Sequence, residues 1–527
     1  MTTTRDGQGA PLEAEQEPLL AVSNLKKHFP INSGMLASVR YDPGSGGFPF
    51  AWDDSSVKAV DGVDFELKPG ETFGVVGESG CGKSTLARTI IGLEEPTDGE
   101  ITFDGLPRGD IPEGEFRKRT QMVFQDPQSS LNSRRKVGHI IEDPLEGTGW
   151  PESDPAVSTV ADVEQIGLAA FDVRVSVPDD ADLVVDVEDD VATVPVTVRA
   201  RDGQENDQEP AVTADVPWGL DAEVTVDETR DVIDVEVSVT ATTQELRRNR
   251  ALELLEQVGL KREYYNRYPH EFSGGQRQRI NLARALSINP DLVIADEPVS
   301  GLDVSVQAQI LNLMDDLQEE YGLTYLLISH DLSVIRYIAD RVAVMYLGEF
   351  VEVAPAEELF IEQHHPYARA LLSAVPNPDP DMPGARSEIR GSVPSASDPP
   401  RGCRFHTRCP DFILPDGFSM DAYEAYDRLL ADVRSRSLAD GLEDETAPLE
   451  AYFEETGPPP SARQAAEDAI DAALEGRWDE AQATLEAHES VCQARDPALE
   501  AVDSSGRLAA CHLLTEEASN PEVTTDG

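Results

Sequence analysis

Apolar positions along the chain follow two different rhythms. Near the start, LLAVSNLKKHF and VKAVDGVDFELKPGETFGVVG carry the short apolar runs of strands, separated by a Gly/Pro/Ser loop near Asp42 to Phe50. The run TFGVVG leads straight into glycines and then into the helical LARTIIGL. From Gln244 a helical pattern returns in QELRRNRALELLEQVGL, followed by the β run DLVIAD, the helical QAQILNLMDDLQEEYG and a second buried strand, TYLLIS. Helices alternating with apolar strands predict a parallel α/β sheet.

Between about Trp150 and Thr243 the period changes to two. FDVRVSV, DLVVDV, VPVTVRA, AEVTV and DVIDVEVSVT, broken by DD, DG and PWG turns, predict half-buried antiparallel strands in an inserted β domain. Proline, serine and glycine from Pro376 to Pro400 predict a linker. Beyond Cys409, PSARQAAEDAIDAALEG and WDEAQATLEAHE predict a helical hairpin with no chemistry of its own.

Composition narrows the setting. The 527 residues suggest roughly three or four domains. The chain has 100 acidic against 43 basic side chains, a net charge of −57, and no lysine after Lys261. Backbone binding to nucleic acid needs basic patches, so nucleic acid is not an expected partner. Self-repulsion this strong destabilises a compact fold in dilute buffer. At about 1 M salt the Debye length falls to about 3 Å and the repulsion is screened, which predicts a salt-adapted cytoplasm. No apolar run approaches the ~18 residues of a membrane span, and the start lacks a basic n-region and apolar h-region. Five cysteines in such a compartment predict free thiols or metal ligands rather than disulfides.

The chemistry begins at GESGCGKST. Gly77, Glu78, Ser79, Gly80, Cys81, Gly82, Lys83, Ser84 and Thr85 satisfy G-x-x-x-x-G-K-[ST] between a strand and a helix. Glycine N–H groups wrap phosphates, Lys83 reaches the β/γ oxygens, and the Ser84 hydroxyl ligates Mg²⁺, so ATP is the expected ligand. LVIADEP places Asp296 and Glu297 at a strand tip, where one serves the metal and the other polarises water. Gln125 and His330 each follow an apolar β run, at the ligand edge of an open α/β sheet. In EFSGGQRQR, Ser273, Gly274, Gly275 and Gln276 precede Arg277 and Arg279, a bare basic helix start that calls for an anion.

The set of Gly77–Ser84, FQDP around Gln125, SGGQ at Ser273–Gln276, IADEP around Glu297, SGLD ending at Asp303 and SHD around His330 resembles the ATP-binding subunit of ABC transporters, in the family's order. KHFPI, KAVDGVDF, QMVFQDPQSSLN, YPHEFSGGQRQR and HPYARALLSAVP resemble the oligopeptide, dipeptide and nickel importer branch. The resemblance implies a P-loop NTPase fold: a RecA-like α/β core with antiparallel β and helical subdomains, here with an inserted acidic β domain and a C-terminal extension. Its expected divisions are a disordered 1–18, a cassette at 19–149 and 244–360, the β insert at 150–243, a C-terminal segment at 361–410, an acidic helical insert at 411–490, and a cysteine segment with tail at 491–527.

Carried over residue by residue, the resemblance has Phe29 stack on adenine, though an ordinary strand aromatic is an equal alternative. It makes Gln125 a Mg²⁺ contact, Asp296 the metal acid, Glu297 the catalytic base and His330 the γ-phosphate switch. Ser273–Gln276 and Asp303 then serve the ATP of a second, identical or related ATPase subunit. Two transmembrane permease subunits and an extracytoplasmic solute-binding protein complete the implied importer, placing the chain at the cytoplasmic face of the membrane. Cys403, Cys409, Cys492 and Cys511 match a segment whose cysteines hold an iron–sulfur cluster in some members, against the alternative of reduced structural thiols. A soluble ABC ATPase of DNA repair or translation is the competing function. The single cassette and the absence of long coiled-coil heptads favour the importer.

Overall fold

The computed structural model describes residues 17–31, 56–126, 130–150, 243–373, 389–438, 452–453, 457–503 and 505–514. It adds, as backbone, the strands at 39–41, 50–52, 172–176, 182–187, 193–201, 211–215, 222–229 and 232–240. The expected disordered start, the first half of the linker and the tail beyond 514 lie almost wholly outside the described residues. Contacts divide the chain into two compact units, one comprising the described parts of Met1–Leu20, Leu67–Thr72 and Thr102–Ile328, the other those of Ala21–Glu66, Phe73–Ile101 and Ser329–Gly527.

In the first unit the LVIAD and TYLLI runs form strands Leu292–Asp296 and Thr324–Ile328, buried at every position. Continuous apolar runs suit strands covered on both faces. Leu292–Asp296 is parallel to Thr324–Ile328 on one side, with Asp296 opposite Ile328, and to Thr120–Val123 on the other, with Ala295 opposite Val123. The two outgoing chains at Val123 and Asp296 therefore leave the sheet at the same edge. Helices Glu113–Arg119, Val137–Thr148, Thr243–Gln257, Gly274–Leu286 and Val304–Tyr321 also belong to this unit.

The period-two region is an antiparallel β insert. Asp182–Val187 pairs with Thr193–Arg201, which pairs with Val232–Thr240, which pairs with Ala222–Thr229. A separate ladder joins Asp172–Ser176 to Ala211–Asp215. The sequence reading missed Ala211–Asp215, because AVTAD contains two alanines and an aspartate, weak strand formers, and pairing with Asp172–Ser176 supplies what propensity does not.

In the second unit Arg341–Tyr346 runs parallel to Phe73–Val76 and antiparallel to Glu349–Pro355, with a bulge between Val344 and Met345. The short strand Leu508–Ala509, far along the chain, adds to Glu349–Pro355. Among the described residues the insert at 411–490 holds the two expected helices, Pro460–Leu474 and Trp478–Glu486, and a third, Met420–Arg434. Its apolar residues Tyr423, Tyr426, Leu429, Leu430 and Val433 recur at helical spacing and share one core with Ile470 and Leu485. The ends of this insert are drawn together: the Ser490 N–H donates to the Tyr423 hydroxyl (2.7 Å), and the Ser490 hydroxyl donates to the Ile413 carbonyl (2.6 Å).

Candidate active site

The cradle at Gly77–Thr85 follows strand Thr72–Val76 and opens helix Lys83–Ile90. Gly82 caps that helix with φ +113° and no side-chain cap, so the first-turn N–H groups are left for an anion. A Cβ on Gly82 would lie 1.9 Å from the Ala59 carbonyl, and one on Gly77 2.2 Å from the Met345 carbonyl, so only glycine fits either place. Lys83 is buried. Its ammonium donates to the carbonyls of Gly77 (2.8 Å) and Glu78 (3.0 Å), and lies 3.7 Å from the Cys81 sulfur. Burial raises the Cys81 thiol, and the Lys83 charge opposes it.

The chain beyond the cassette motifs reaches back to this loop. The Glu78 N–H donates to the Tyr367 hydroxyl (2.9 Å), and the Arg408 guanidinium donates to both oxygens of the Glu78 carboxylate (2.8 and 3.2 Å). Arg404 pairs with Asp61 and with Glu349 (2.7 Å), and also donates to the Leu347 carbonyl. The sequence reading took only the cysteines from GCRFHTRCP; the signal it passed over was two arginines in so acidic a chain.

His365 anchors the same segment. Its N–H donates to the Glu352 carboxylate (2.8 Å), and its Nδ1 accepts from the Tyr367 N–H (3.0 Å). Complete burial, aided by the Arg369 charge, pushes its imidazole down to about 3. The unfolded imidazole takes a proton near pH 6.5 and the folded one does not, so this stabilisation is present above pH 6.5 and is lost as pH falls. Between pH 6.5 and 5 the loss is about 2 kcal/mol. Glu352, raised by burial, titrates in the opposite sense. The expected outcome is that His365→Asn flattens the acid side of the stability curve by about that amount, measured as denaturant midpoints against pH.

In the other unit the expected acid and glutamine are brought together. Gln125 and Glu297 follow neighbouring parallel strands, and the Gln125 amide donates to the Glu297 carboxylate at 2.5 Å. Glu297 has φ +48°, a conformation that costs a non-glycine residue about 1–3 kcal/mol, and its N–H donates to the Ile328 carbonyl (2.8 Å). Asp296 beside it is buried.

The signature serine is the N-cap of helix Gly274–Leu286. Its hydroxyl accepts from the Gln276 N–H (3.3 Å), and the Gln276 side chain accepts from the Ser273 N–H (3.1 Å). The helix start is thus a capping box and not the bare basic end that the sequence suggested. Arg277 and Arg279 donate to the carbonyls of Pro269 (2.9 Å) and Val258 (2.6 Å). The S-x-x-Q spacing was the signal for the cap. A Cβ on Gly275 would meet Val306 at 2.3 Å, in the helix whose N-cap is Asp303. Asp303 accepts from the Ser305 hydroxyl (2.7 Å) and the Val306 N–H (3.0 Å), and the first of these lowers its carboxyl.

Phe29 is half-buried under the Lys27 ammonium, 4.8 Å from the ring centroid. His330 is exposed, directly after Ser329, whose N–H donates to the Val75 carbonyl (3.2 Å). The helical insert leaves Cys403 and Cys492 adjacent, with the Cys403 N–H donating to the Cys492 carbonyl at 2.8 Å. All four C-terminal cysteines are free thiols raised by burial, Cys409 to about 12 and Cys511 to about 11, and neighbouring cysteines raise both further. Their donor chemistry suits an iron–sulfur cluster. The four lie near enough for Cys409, Cys492 and Cys511 all to raise Cys403, although among the described residues no three His, Cys, Asp or Glu side chains are arranged as a group that could hold a metal ion.

The family model "ABC transporter" matches residues 60–300, "Oligopeptide/dipeptide transporter, C-terminal region" matches 351–412, and "Domain of unknown function (DUF8228)" matches 420–505. The chain is 40% identical over 403 residues to the oligopeptide transport ATP-binding protein AppF of Bacillus subtilis, covering 75% of this chain and 91% of that one. It is also 40% identical over 397 residues to the dipeptide transport ATP-binding protein DppF of Escherichia coli, covering 75% and 87%. Among solved structures, a dimeric ATP-binding cassette in a post-hydrolysis state with ADP and Pi is 22% identical and covers 64% of this chain and 98% of its own, with a TM-score of 0.39. With the cradle, the paired Gln125 and Glu297 and the capped signature helix in place, these relatives show that the chain belongs to the ABC transporter family, as an ATPase of its oligopeptide/dipeptide branch.

Proposed function

We propose that this chain energises import of oligopeptides, dipeptides or a chemically related solute such as nickel. It works with a second ATPase subunit, two permease subunits and, indirectly, a solute-binding protein, at the cytoplasmic face of a membrane in a salt-adapted cell. The observation that carries the reading is the match of residues 351–412 to the oligopeptide/dipeptide transporter C-terminal region, in a segment whose Tyr367 and Arg408 hold Glu78 of the cradle. The relatives' names support the peptide as solute. Among the described residues no helix is long and apolar enough to cross a membrane, which fits a subunit that docks on permeases.

In this reading Phe29 stacks on adenine, Gly77–Thr85 cradle the phosphates, and Lys83 leaves its loop carbonyls for the β/γ oxygens. Ser84, Gln125 and Asp296 hold Mg²⁺, which neutralises charge on the phosphates. Glu297 takes the proton of the attacking water, and His330 contacts the γ-phosphate. Ser273–Gln276 and Asp303 serve the ATP of the partner subunit, so that ATP favours the closed pair and hydrolysis releases it. A [4Fe–4S] cluster on the four C-terminal cysteines is a separate addition, assigned by about four iron and four acid-labile sulfide per chain in anaerobically purified protein and withdrawn if neither is found.

The test of the whole reading is uptake. Deleting the gene is expected to abolish accumulation of labelled di- or oligopeptides, with two multi-span membrane proteins co-purifying with the tagged chain. Unchanged peptide uptake together with stable co-purification of ribosomes would move the chain to the soluble ATPases.

A further inference from the structure

The phosphate cradle contains a carboxylate, and that is a physical difficulty. Glu78 stands directly after Gly77 in a loop whose task is to hold a polyanion, and like charges at close range repel strongly wherever water is scarce. The structure answers the difficulty with a residue from far along the chain. We propose that Arg408 is a positioning residue for ATP binding, fixing the Glu78 carboxylate by a two-point ion pair so that the loop offers the nucleotide N–H groups and not a negative charge.

Three features support this. The pair is bidentate, which fixes direction as well as charge. Arg408 is 6% exposed, and its guanidinium lies near the rings of Tyr346 (5.8 Å) and Phe405 (5.9 Å) while also donating to the Tyr346 hydroxyl (3.3 Å). The arginine is therefore held in place before it meets Glu78, unlike exposed pairs such as Arg436 with Asp479. Third, every polar part of Glu78 is engaged: its N–H by Tyr367, its carbonyl by Lys83 and its carboxylate by Arg408. Partly buried pairs are screened less by salt than exposed ones, so the clamp persists at the high ionic strength that this composition implies. Arg404, four residues earlier in the same loop, is tied to Asp61 and Glu349, which anchors the loop carrying Arg408.

The inference rests on reading Gly77–Thr85 as the ATP cradle, and the experiment separates the two. Affinity for a fluorescent ATP analogue with Mg²⁺, and KM and kcat for ATP, are measured on the full chain for wild type, Lys83→Ala, Arg408→Gln, Arg408→Lys, Glu78→Gln and the double variant Glu78→Gln/Arg408→Gln. Arg408→Gln strands a carboxylate in the cradle and is expected to weaken nucleotide binding and raise KM about tenfold or more, with a smaller change in kcat. In the double variant the stranded charge is gone, and affinity is expected to return to within about threefold of Glu78→Gln alone. Arg408→Lys keeps the charge without the fork and is expected to fall between. A double variant as weak as Arg408→Gln, or an Arg408→Gln affinity equal to wild type, overturns the proposal and leaves Arg408 a packing residue. If Arg408→Gln does not fold, Arg408→Lys against its own Glu78→Gln double carries the same comparison. Unimpaired binding by Lys83→Ala overturns the cradle reading itself.

Discussion

Glu297→Gln is expected to lower ATP turnover by about a hundredfold to ten-thousandfold, the range a positioned general base contributes, while ATP still binds. The substitution is nearly isosteric, and the glutamine oxygen can still accept the hydrogen bond that Gln125 now donates to the carboxylate. The backbone bond to Ile328 and the left-handed φ at this position do not depend on the side-chain charge. What the variant loses is basicity at the end of a buried strand. Single-turnover phosphate release measures the effect, and size exclusion with ATP detects the trapped, ATP-bound pair of subunits that should accumulate. Turnover within tenfold of wild type would remove Glu297 from the chemistry and leave its strained backbone without a functional reason.

The second large effect is expected at Gly82, from backbone geometry alone. Gly82→Ala places a methyl group 1.9 Å from the Ala59 carbonyl, in a residue that also has φ +113°. Neither problem is relieved by a side-chain rotation, because the clashing atom is backbone. The loop or the Ala59 strand must move by about an ångström, and misplacement of that size costs on the order of a hundredfold in catalytic efficiency. The expected result is a fall in kcat/KM for ATP of about that size or more, with the helical body beyond Cys409 keeping its hydrogen-exchange protection. As a control, Gly80→Ala also has a left-handed φ (+83°) but nothing within 4 Å of the added carbon. It is expected to cost only the conformational strain of about 1–3 kcal/mol. Equal losses from both variants would show that the close approach to Ala59 does not matter.

Much of the site is legible in the sequence. Gly77–Ser84 sits between a strand and a helix because a buried run ends in glycines and then in helix formers, all within one stretch of chain. Asp296 and Glu297 end a strand because four apolar residues precede them. The strands of the acidic insert were readable because alternation with period two is a local property, and AVTAD escaped because its pairing partner supplies what its own composition lacks. The signature helix departs from expectation in one respect: its start is not bare, because Ser273 and Gln276 cap each other, while Arg277 and Arg279 donate to carbonyls of the adjoining turns.

By itself, then, the sequence determined those features that depend on neighbours within a few residues: the cradle, the acid pair, and the alternation of helices with strands. Tertiary structure alone decided which distant charges meet. Arg408 reaches Glu78 across 330 positions and Arg404 reaches Asp61 across 343, and no periodicity or spacing encodes either pairing. The same holds for Cys403 and Cys492, which become adjacent because the helices between them close on a core of their own. The physical reason is that an ion pair or a thiol neighbourhood depends on distance in space, which packing sets. Hydrophobic pattern fixes each element and leaves open which of many arginines in an acidic chain will stand beside a given carboxylate.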